Sequence, residues 1–108
     1  MTFQQVTLVV PLGPNVPGMS VGEYDINLLR LERSLCSQFG GWTAVDGRGA
    51  GLSEDGDTLH EQVRVYTLAA YIGLTSDDLA ELRQLVKVLL DQRAVYLAAY
   101  DLAEKPIQ

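Results

Sequence analysis

The sequence predicts an α+β sandwich in which two helices cover one face of a four-stranded antiparallel sheet. Four segments alternate apolar and polar residues with the period of two that is typical of strands. Two others repeat apolar residues every three or four positions, as amphipathic helices do. Their order is strand, helix, strand, strand, helix, strand. Because helices with one apolar face must bury it against another layer, this order favours a single ferredoxin-like, split βαβ domain over residues 1–108.

The first strand and the first helix are predicted from residues 4–41. Alternate valine and leucine side chains mark a strand at 4–10, and prolines and glycines then interrupt regular structure. Ser20 and Glu23 form the signature of a capping box, so a helix is expected to begin there and to end at the glycine pair 40–41. The apolar stripe of this helix consists of Tyr24, Leu28, Leu31, Leu35 and Phe39, widened by Leu29 and Cys36.

Residues 39–71 hold most of the unusual side chains and are predicted to form a strand, a loop and a longer strand. The short strand covers 42–46, and the glycine-rich, acidic segment 47–57 is expected to be a flexible loop. The strand at 58–71 is the longest β signal in the chain. Its alternation predicts that Val63, Val65, Thr67 and Ala69 face the helices and that Gln62, Arg64, Tyr66 and Leu68 face the other way.

The last part of the chain predicts a second helix and a fourth strand. Thr75 and the acidic residues after it are typical of a helix N-terminus, where a hydroxyl caps free amides and carboxylates meet the helix dipole. Alternation over 94–102 predicts the final strand. The apolar stripe of the second helix consists of Leu79, Leu82, Val86 and Leu89, with Leu85 and Leu90 beside it.

Composition narrows the classes of partner. Eight basic against fourteen acidic residues give a net charge of -6, which opposes binding to a nucleic-acid backbone or an anionic membrane. Cys36 is the single cysteine and has no partner for a disulfide, so a reducing, cytoplasmic setting is expected. The first ten residues lack the pattern of a signal peptide, and no apolar run approaches the length that spans a bilayer.

The face of the sheet turned away from the helices is predicted to bind a partner. A contiguous apolar patch on a small domain usually marks an interaction surface, and a second copy in a closed cyclic assembly is the simplest partner. The alternative is that its tyrosines only shield the sheet from water. The residues predicted on this face are Phe3, Thr7, Val9, Gln62, Arg64, Tyr66, Leu68, Tyr96, Ala98, Tyr100 and Leu102.

Glu61 and His60 are the candidate acid–base or contact residues. Glu61 shares its parity with Val63, so it is predicted to point to the helix side, where an unpaired carboxylate is costly. It is therefore either solvated beyond the helix ends or held near a cleft as a base or ligand contact. His60 is the only histidine and follows Glu54 and Asp57, but without a second imidazole or a thiolate no metal site is expected.

Trp42, Arg48 and Arg64 are the candidate ligand contacts. The indole of Trp42 offers a face for an adenine-like ring, although a tryptophan at a strand start is equally a core residue. Either arginine can meet a carboxylate or phosphate. The glycine run around Arg48 is a weak phosphate motif because it joins two strands and does not lead into a helix. No arrangement typical of an activated nucleophile is present in the sequence.

Three segments carry a resemblance to a known family. The residues FGGWTAVDGRGAG, then Glu61 within LHEQVRVY, then AVYLAAYD resemble small phage-encoded ferredoxin-like proteins that include trimeric S-adenosylmethionine lyases. The architecture is also similar to that of PII-like proteins, which bind adenine nucleotides between subunits. The lyase resemblance implies a homotrimer in the host cytoplasm, without a cofactor. In its inter-subunit sites a glutamate and a tyrosine favour formation of methylthioadenosine and homoserine lactone from S-adenosylmethionine.

The sequence thus predicts an oligomeric protein that acts on an adenosine-type ligand, with a lyase-like reaction as the leading interpretation. One alternative is a non-enzymatic sensor or sponge for a signalling nucleotide, and another is a structural interaction domain. The predicted catalytic residues are Glu61 and Tyr66, and the predicted ligand contacts are Trp42, Arg48, His60 and Arg64.

Overall fold

The order of elements is the predicted one. A computed structural model describes residues 3–13, 18–52, 55–70, 74–92 and 95–102. The four strands form one antiparallel sheet in the order β2-β3-β1-β4, which confirms the ferredoxin-like fold. The elements are β1 (Phe3–Pro11), α1 (Val21–Phe39), β2 (Thr43–Leu52), β3 (Thr58–Ala70), α2 (Ser76–Leu90) and β4 (Tyr96–Leu102).

Both helices begin at the predicted caps. The hydroxyl of Ser20 accepts a hydrogen bond from the amide of Glu23 at 3.1 Å, and Gly40 ends α1 with a left-handed φ of 83°. At α2 the capping box is reciprocal, because Thr75 and Asp78 each accept from the other's backbone amide. Neither of these two helices combines the length and apolarity that crossing a bilayer requires, as judged over the described residues.

The core lies between the helices and one face of the sheet. The predicted stripes of both helices contribute to it, but the expected widening of α1 was wrong: Leu29 is 63% exposed and Cys36 is also exposed. Both side chains lie beyond the sector of the helix that contacts the sheet. The buried core consists of Val6, Leu8, Val10, Tyr24, Leu28, Leu31, Leu35, Tyr66, Leu68, Leu82, Val86 and Leu90.

The predicted orientation of β3 was wrong. Tyr66 pairs with Leu8 across the sheet and Leu68 pairs with Val6, so both side chains share the helix-covered face and are fully buried. Val63 and Val65 therefore lie on the uncovered face. Because β3 carries apolar residues at both parities, its own pattern does not decide which side is buried. Pairing with β1 does, since a one-residue change of register turns every side chain over.

The glycine-rich segment 47–52 belongs to a strand and not to a loop. It extends β2 to Leu52, where Gly47, Gly49 and Gly51 pair with Val63, Glu61 and Leu59 of β3. Since β1 reaches only as far as Val63 along β3, the end of this hairpin projects beyond the rest of the sheet. Glycine weakens a strand, yet the backbone pairing of β2 with β3 is sufficient to hold this segment extended. Residues 53–54 of the expected loop lie outside the described residues.

Candidate functional site

A cleft opens at the end of β1, beside the projecting hairpin. Its volume is about 410 Å³, within the range of roughly 300–1,000 Å³ that small-molecule sites occupy. Only Glu61 carries a charge among the described residues of the lining, and most of the others are apolar. They are Val9, Val10, Pro11, Glu61, Val63, Gln92, Val95 and Tyr96.

Glu61 lies on the uncovered face of the sheet, which corrects the prediction that it points to the helices. It pairs with Gly49, shares its face with Val63, and its side chain is exposed at the cleft. Because Gly49 has no side chain, nothing on β2 covers the carboxylate from across the ladder. No basic side chain of the described residues lies within ion-pair distance of Glu61. The cleft therefore presents one carboxylate that a ligand can reach.

The uncovered face is continuous with this cleft and is uncharged next to it. Val45, Val65, Val9 and Tyr96 form one row across all four strands, because each pairs with the next. Val9 and Tyr96 belong to both the row and the cleft lining, and Tyr96 is 57% exposed. The adjacent row is Thr43, Thr67, Thr7 and Ala98. The side chains of Phe3, Tyr100 and Leu102, also predicted here, are outside those described.

Arg64 lies on the helix side of the sheet and is held by two carboxylates. Its Nε and Nη2 donate to the two carboxylate oxygens of Asp46 at 2.7 and 3.1 Å, and its Nη1 donates to Glu32 at 3.2 Å. The hydrogen bonds to Arg64 lower the pKa of Asp46, while Asp46 raises the pKa of Arg64. The guanidinium is thus permanently charged and already paired. A ligand anion would have to compete with these two carboxylates.

Trp42 and Tyr66 complete this cluster. The hydroxyl of Tyr66 donates to Glu32 at 2.7 Å, and its ring meets that of Trp42 edge-on at 5.4 Å between centroids. The indole nitrogen of Trp42 donates to the backbone carbonyl of Glu32 at 3.1 Å. Burial raises the pKa of Tyr66, and its bond to Glu32 adds to the rise. Tyr66 is a neutral, inaccessible donor, whereas Trp42 packs on it and stays 37% exposed.

Arg48 and His60 lie on the projecting hairpin, on the same side as Arg64. Arg48 pairs with Gln62 and His60 with Ala50, so the two are diagonal neighbours, and both are exposed. No group of three potential metal ligands comes together among the described residues. Of the six predicted site residues, Glu61 therefore lies alone on one face, and the other five lie on the opposite face.

Sequence reasoning did not assign Glu32, Asp46 or Tyr96 to a site. Glu32 had a signal, since it lies four residues after Leu28 and three before Leu35, at the edge of the buried stripe of α1. No signal in the sequence indicated that Tyr96 and Glu61 line the same cleft. They do so because β1 lies between β3 and β4 in the sheet, which brings two distant segments to one cleft.

A hydrogen bond of Tyr24 connects α1 to the rim of the cleft. The raised pKa of Tyr24 predicts that the fold loses stability in alkali. The hydroxyl of Tyr24 donates to the carbonyl of Pro11. Burial raises the pKa of Tyr24 from 10.0 to about 12, opposed by a backbone hydrogen bond with Gly13 and assisted by the charge of Glu61. A folded-state pKa above the unfolded value stabilises the fold below the unfolded pKa, and this contribution is lost as pH rises through the folded pKa.

Between pH 10 and pH 12, we expect the free energy of unfolding of the wild type to fall by about 2 kcal/mol more than that of Tyr24→Phe. Urea titrations at pH 10 and pH 12 measure it, because these values bracket the shift. Tyr24→Phe should be less stable at neutral pH, since it lacks the hydrogen bond to Pro11. Equal slopes of stability against pH in the two proteins would contradict the assignment.

Comparison with known proteins gives structural likeness only. No model of a known protein family matches the sequence, and a search of curated proteins finds no significant match. Among solved structures, the divalent cation tolerance protein CutA1 of Thermus thermophilus superposes with a TM-score of 0.65 and 14% identity, over 96% of this chain and 87% of the other. A phage S-adenosylmethionine lyase in the apo state gives 0.59 and 17%, over 93% and 81%.

A third similar structure is the complex of Bacillus subtilis GlnK with ATP. Its TM-score is 0.58 at 12% identity, over 94% of this chain and 83% of the other. At such identities the likeness establishes the fold alone. The chain therefore has the fold that CutA1, GlnK and a phage S-adenosylmethionine lyase share.

Proposed function

We propose that this chain is a homo-oligomeric small-molecule protein that acts on an adenosine-type ligand by a reaction like that of S-adenosylmethionine lyases. The observation that carries the proposal is the cleft, in which Glu61 is the one charged residue of the described lining, and which opens onto the two uncharged rows of the uncovered face. The fold is also that of a phage S-adenosylmethionine lyase. An apolar site with one charged group suits a small organic ligand of opposite charge.

The lyase-like reaction asks little of a protein beyond binding and orientation. A carboxylate oxygen of the methionine moiety forms a bond to its own γ-carbon, and the bond from that carbon to sulfur breaks. The electron pair stays on sulfur, so neutral methylthioadenosine leaves and homoserine lactone forms. No proton is transferred and no cofactor is consumed. Holding the substrate in a reactive conformation is the main contribution available to the site.

The residues divide between the site and its support. Glu61 and Tyr96 line the cleft, and we assign to Tyr96 the place that sequence reasoning gave to Tyr66. Tyr66 is buried on the other face and holds Glu32, so it is a positioning residue for the sheet and α1. Trp42 and Arg64 act with it through the same Glu32.

Self-association completes the proposal. The two uncharged rows of the uncovered face offer a surface that a second copy can cover without bringing like charges together, although each chain carries a net charge of -6. Since Val9 and Tyr96 belong to both the rows and the cleft, covering the face places a neighbouring subunit at the cleft. The trimer that the lyase resemblance implies is the assembly we propose.

Incubation with S-adenosylmethionine tests the reaction. We expect methylthioadenosine and homoserine lactone in equal amounts, detected by chromatography, and a kcat/KM at least about 10-fold lower in Glu61→Gln. Glu81→Gln, an exposed site on α2, makes the same change of charge and should turn over as the wild type does. Absence of both products at high protein concentration would refute the lyase-like reaction.

A nucleotide sensor is the second candidate, and the hairpin favours it. Arg48 and His60 lie close together and exposed on one face of the hairpin, where they can meet a phosphate group. GlnK, solved with ATP, has the same fold. A thermal-shift series with adenosine nucleotides and cyclic nucleotides tests this function, because a ligand of the folded state raises the melting temperature. A structural interaction domain would respond to none of them.

A further inference from the structure

The hairpin end, formed by residues 47–52 and 58–62, is held to the rest of the sheet only at its base. β1 pairs with β3 as far as Val63, and one further backbone hydrogen bond joins the amide of Leu12 to the carbonyl of Gln62 at 2.8 Å. Beyond that bond, β3 pairs with β2 alone among the described strands. The position of the hairpin end relative to the cleft therefore depends on contacts at its base.

Side-chain packing does little to hold the hairpin end. On the face that carries Glu61, β2 contributes only Gly47, Gly49 and Gly51, so no cross-strand pair of side chains supports β3 there. Glycine also leaves the backbone freer to bend than any other residue does. An anchor outside this ladder is needed to fix its direction.

Arg64 supplies that anchor at the base of the hairpin end. Its Nε and Nη2 donate to both carboxylate oxygens of Asp46 on β2, and its Nη1 donates to Glu32 on α1. The side chains of Arg64 and Glu32 are 26% and 12% exposed, so salt screens this ion pair less than one at the surface. We infer that Arg64 is a positioning residue, which ties the hairpin to α1 and thereby sets where Glu61 lies at the cleft.

The distance from Arg64 to Glu61 makes the cleft sensitive to this anchor. Glu61 lies three residues before Arg64 on β3, about 10 Å along the strand. A tilt of about 10° at the base would move Glu61 by about 2 Å, and a misplacement of about 1 Å can lower a rate roughly 100-fold. Arg64 acts through the strand, because its side chain lies on the opposite face of the sheet from Glu61. Its effect on turnover rests on the proposed function.

Arg64→Lys tests the anchor without any ligand. Lysine keeps the charge but cannot make the bidentate bond to Asp46 together with the bond to Glu32. Amide hydrogen exchange compares the wild type, Arg64→Lys and the control Arg83→Lys, at an exposed site on α2. In Arg64→Lys we expect amides of the hairpin end to exchange at least about 10-fold faster, and amides of β1 to change less than about 2-fold. Arg83→Lys should match the wild type throughout.

Turnover of S-adenosylmethionine tests whether the anchor acts through Glu61. We expect Arg64→Lys to lower kcat/KM about 10-fold. The same change made in Glu61→Gln should lower kcat/KM less than about 2-fold further, because the group that Arg64 positions has already been removed. Two losses that simply multiply would show that Arg64 acts independently of Glu61 and would overturn the inference.

Hydrogen exchange separates this inference from the proposed function. Unchanged exchange at the hairpin end, or equally faster exchange throughout the sheet, would refute the anchor even if turnover fell. A wild type without turnover would refute the lyase-like reaction, and the exchange rates would still decide whether Arg64 holds the hairpin.

Discussion

Val65→Glu is expected to convert the proposed oligomer into a monomer. Val65 lies in the middle of the apolar row, between Val45 on β2 and Val9 on β1. A carboxylate at this position would be buried in the interface without a cation, at a cost of about 3 kcal/mol or more, which weakens association at least about 100-fold. Val65 is only half-buried in the single chain, so the fold itself should tolerate the change.

Light scattering and sedimentation velocity measure the mass. Val88→Glu is the matched control, because Val88 is 68% exposed on α2, away from the uncovered face of the sheet. It should keep the mass of the wild type. If Val65→Glu also kept that mass, the uncovered face would not be the interface between subunits. A monomeric wild type would refute self-association itself.

Tyr66→Ala is expected to destabilise the fold by about 3–5 kcal/mol, the range for truncating a large aromatic side chain in a core. Tyr66 is fully buried, contacts the ring of Trp42 and donates to Glu32, so truncation removes packing and a hydrogen bond together. Tyr66→Phe keeps the ring and should cost about 1–2 kcal/mol. Urea unfolding of the wild type and both variants measures the difference.

This series also tests the orientation of β3. If Tyr66 faced the open side, Tyr66→Ala would change self-association and leave the stability of the single chain nearly unaltered. Val88→Ala, at an exposed site, should stay within about 0.5 kcal/mol of the wild type. A cost below about 1 kcal/mol for Tyr66→Ala would contradict the burial seen in the structure.

The predicted site residues show how far sequence reasoning reaches. Glu61 was selected because its parity left a carboxylate unexplained, and it does line a cleft, but on the opposite face from the one predicted. Trp42, Arg64 and Tyr66 do come together, around Glu32. They lie on the opposite face from Glu61, so the sequence grouped residues that the sheet keeps apart. Tyr96 and Glu61 line the same cleft because β1 lies between their strands in the sheet.

The order of the elements, the helix caps and the apolar stripes of both helices can be predicted from local patterns of residues. These features depend on residues within one or two helical turns, such as Ser20 with Glu23 or Thr75 with Asp78. The buried face of β3 and the length of β2 depend instead on the pairing of strands that are distant along the chain. A strand with apolar residues at both parities takes its orientation from its neighbours, so the face of the sheet on which Glu61 lies depends on the register with β1 and β2.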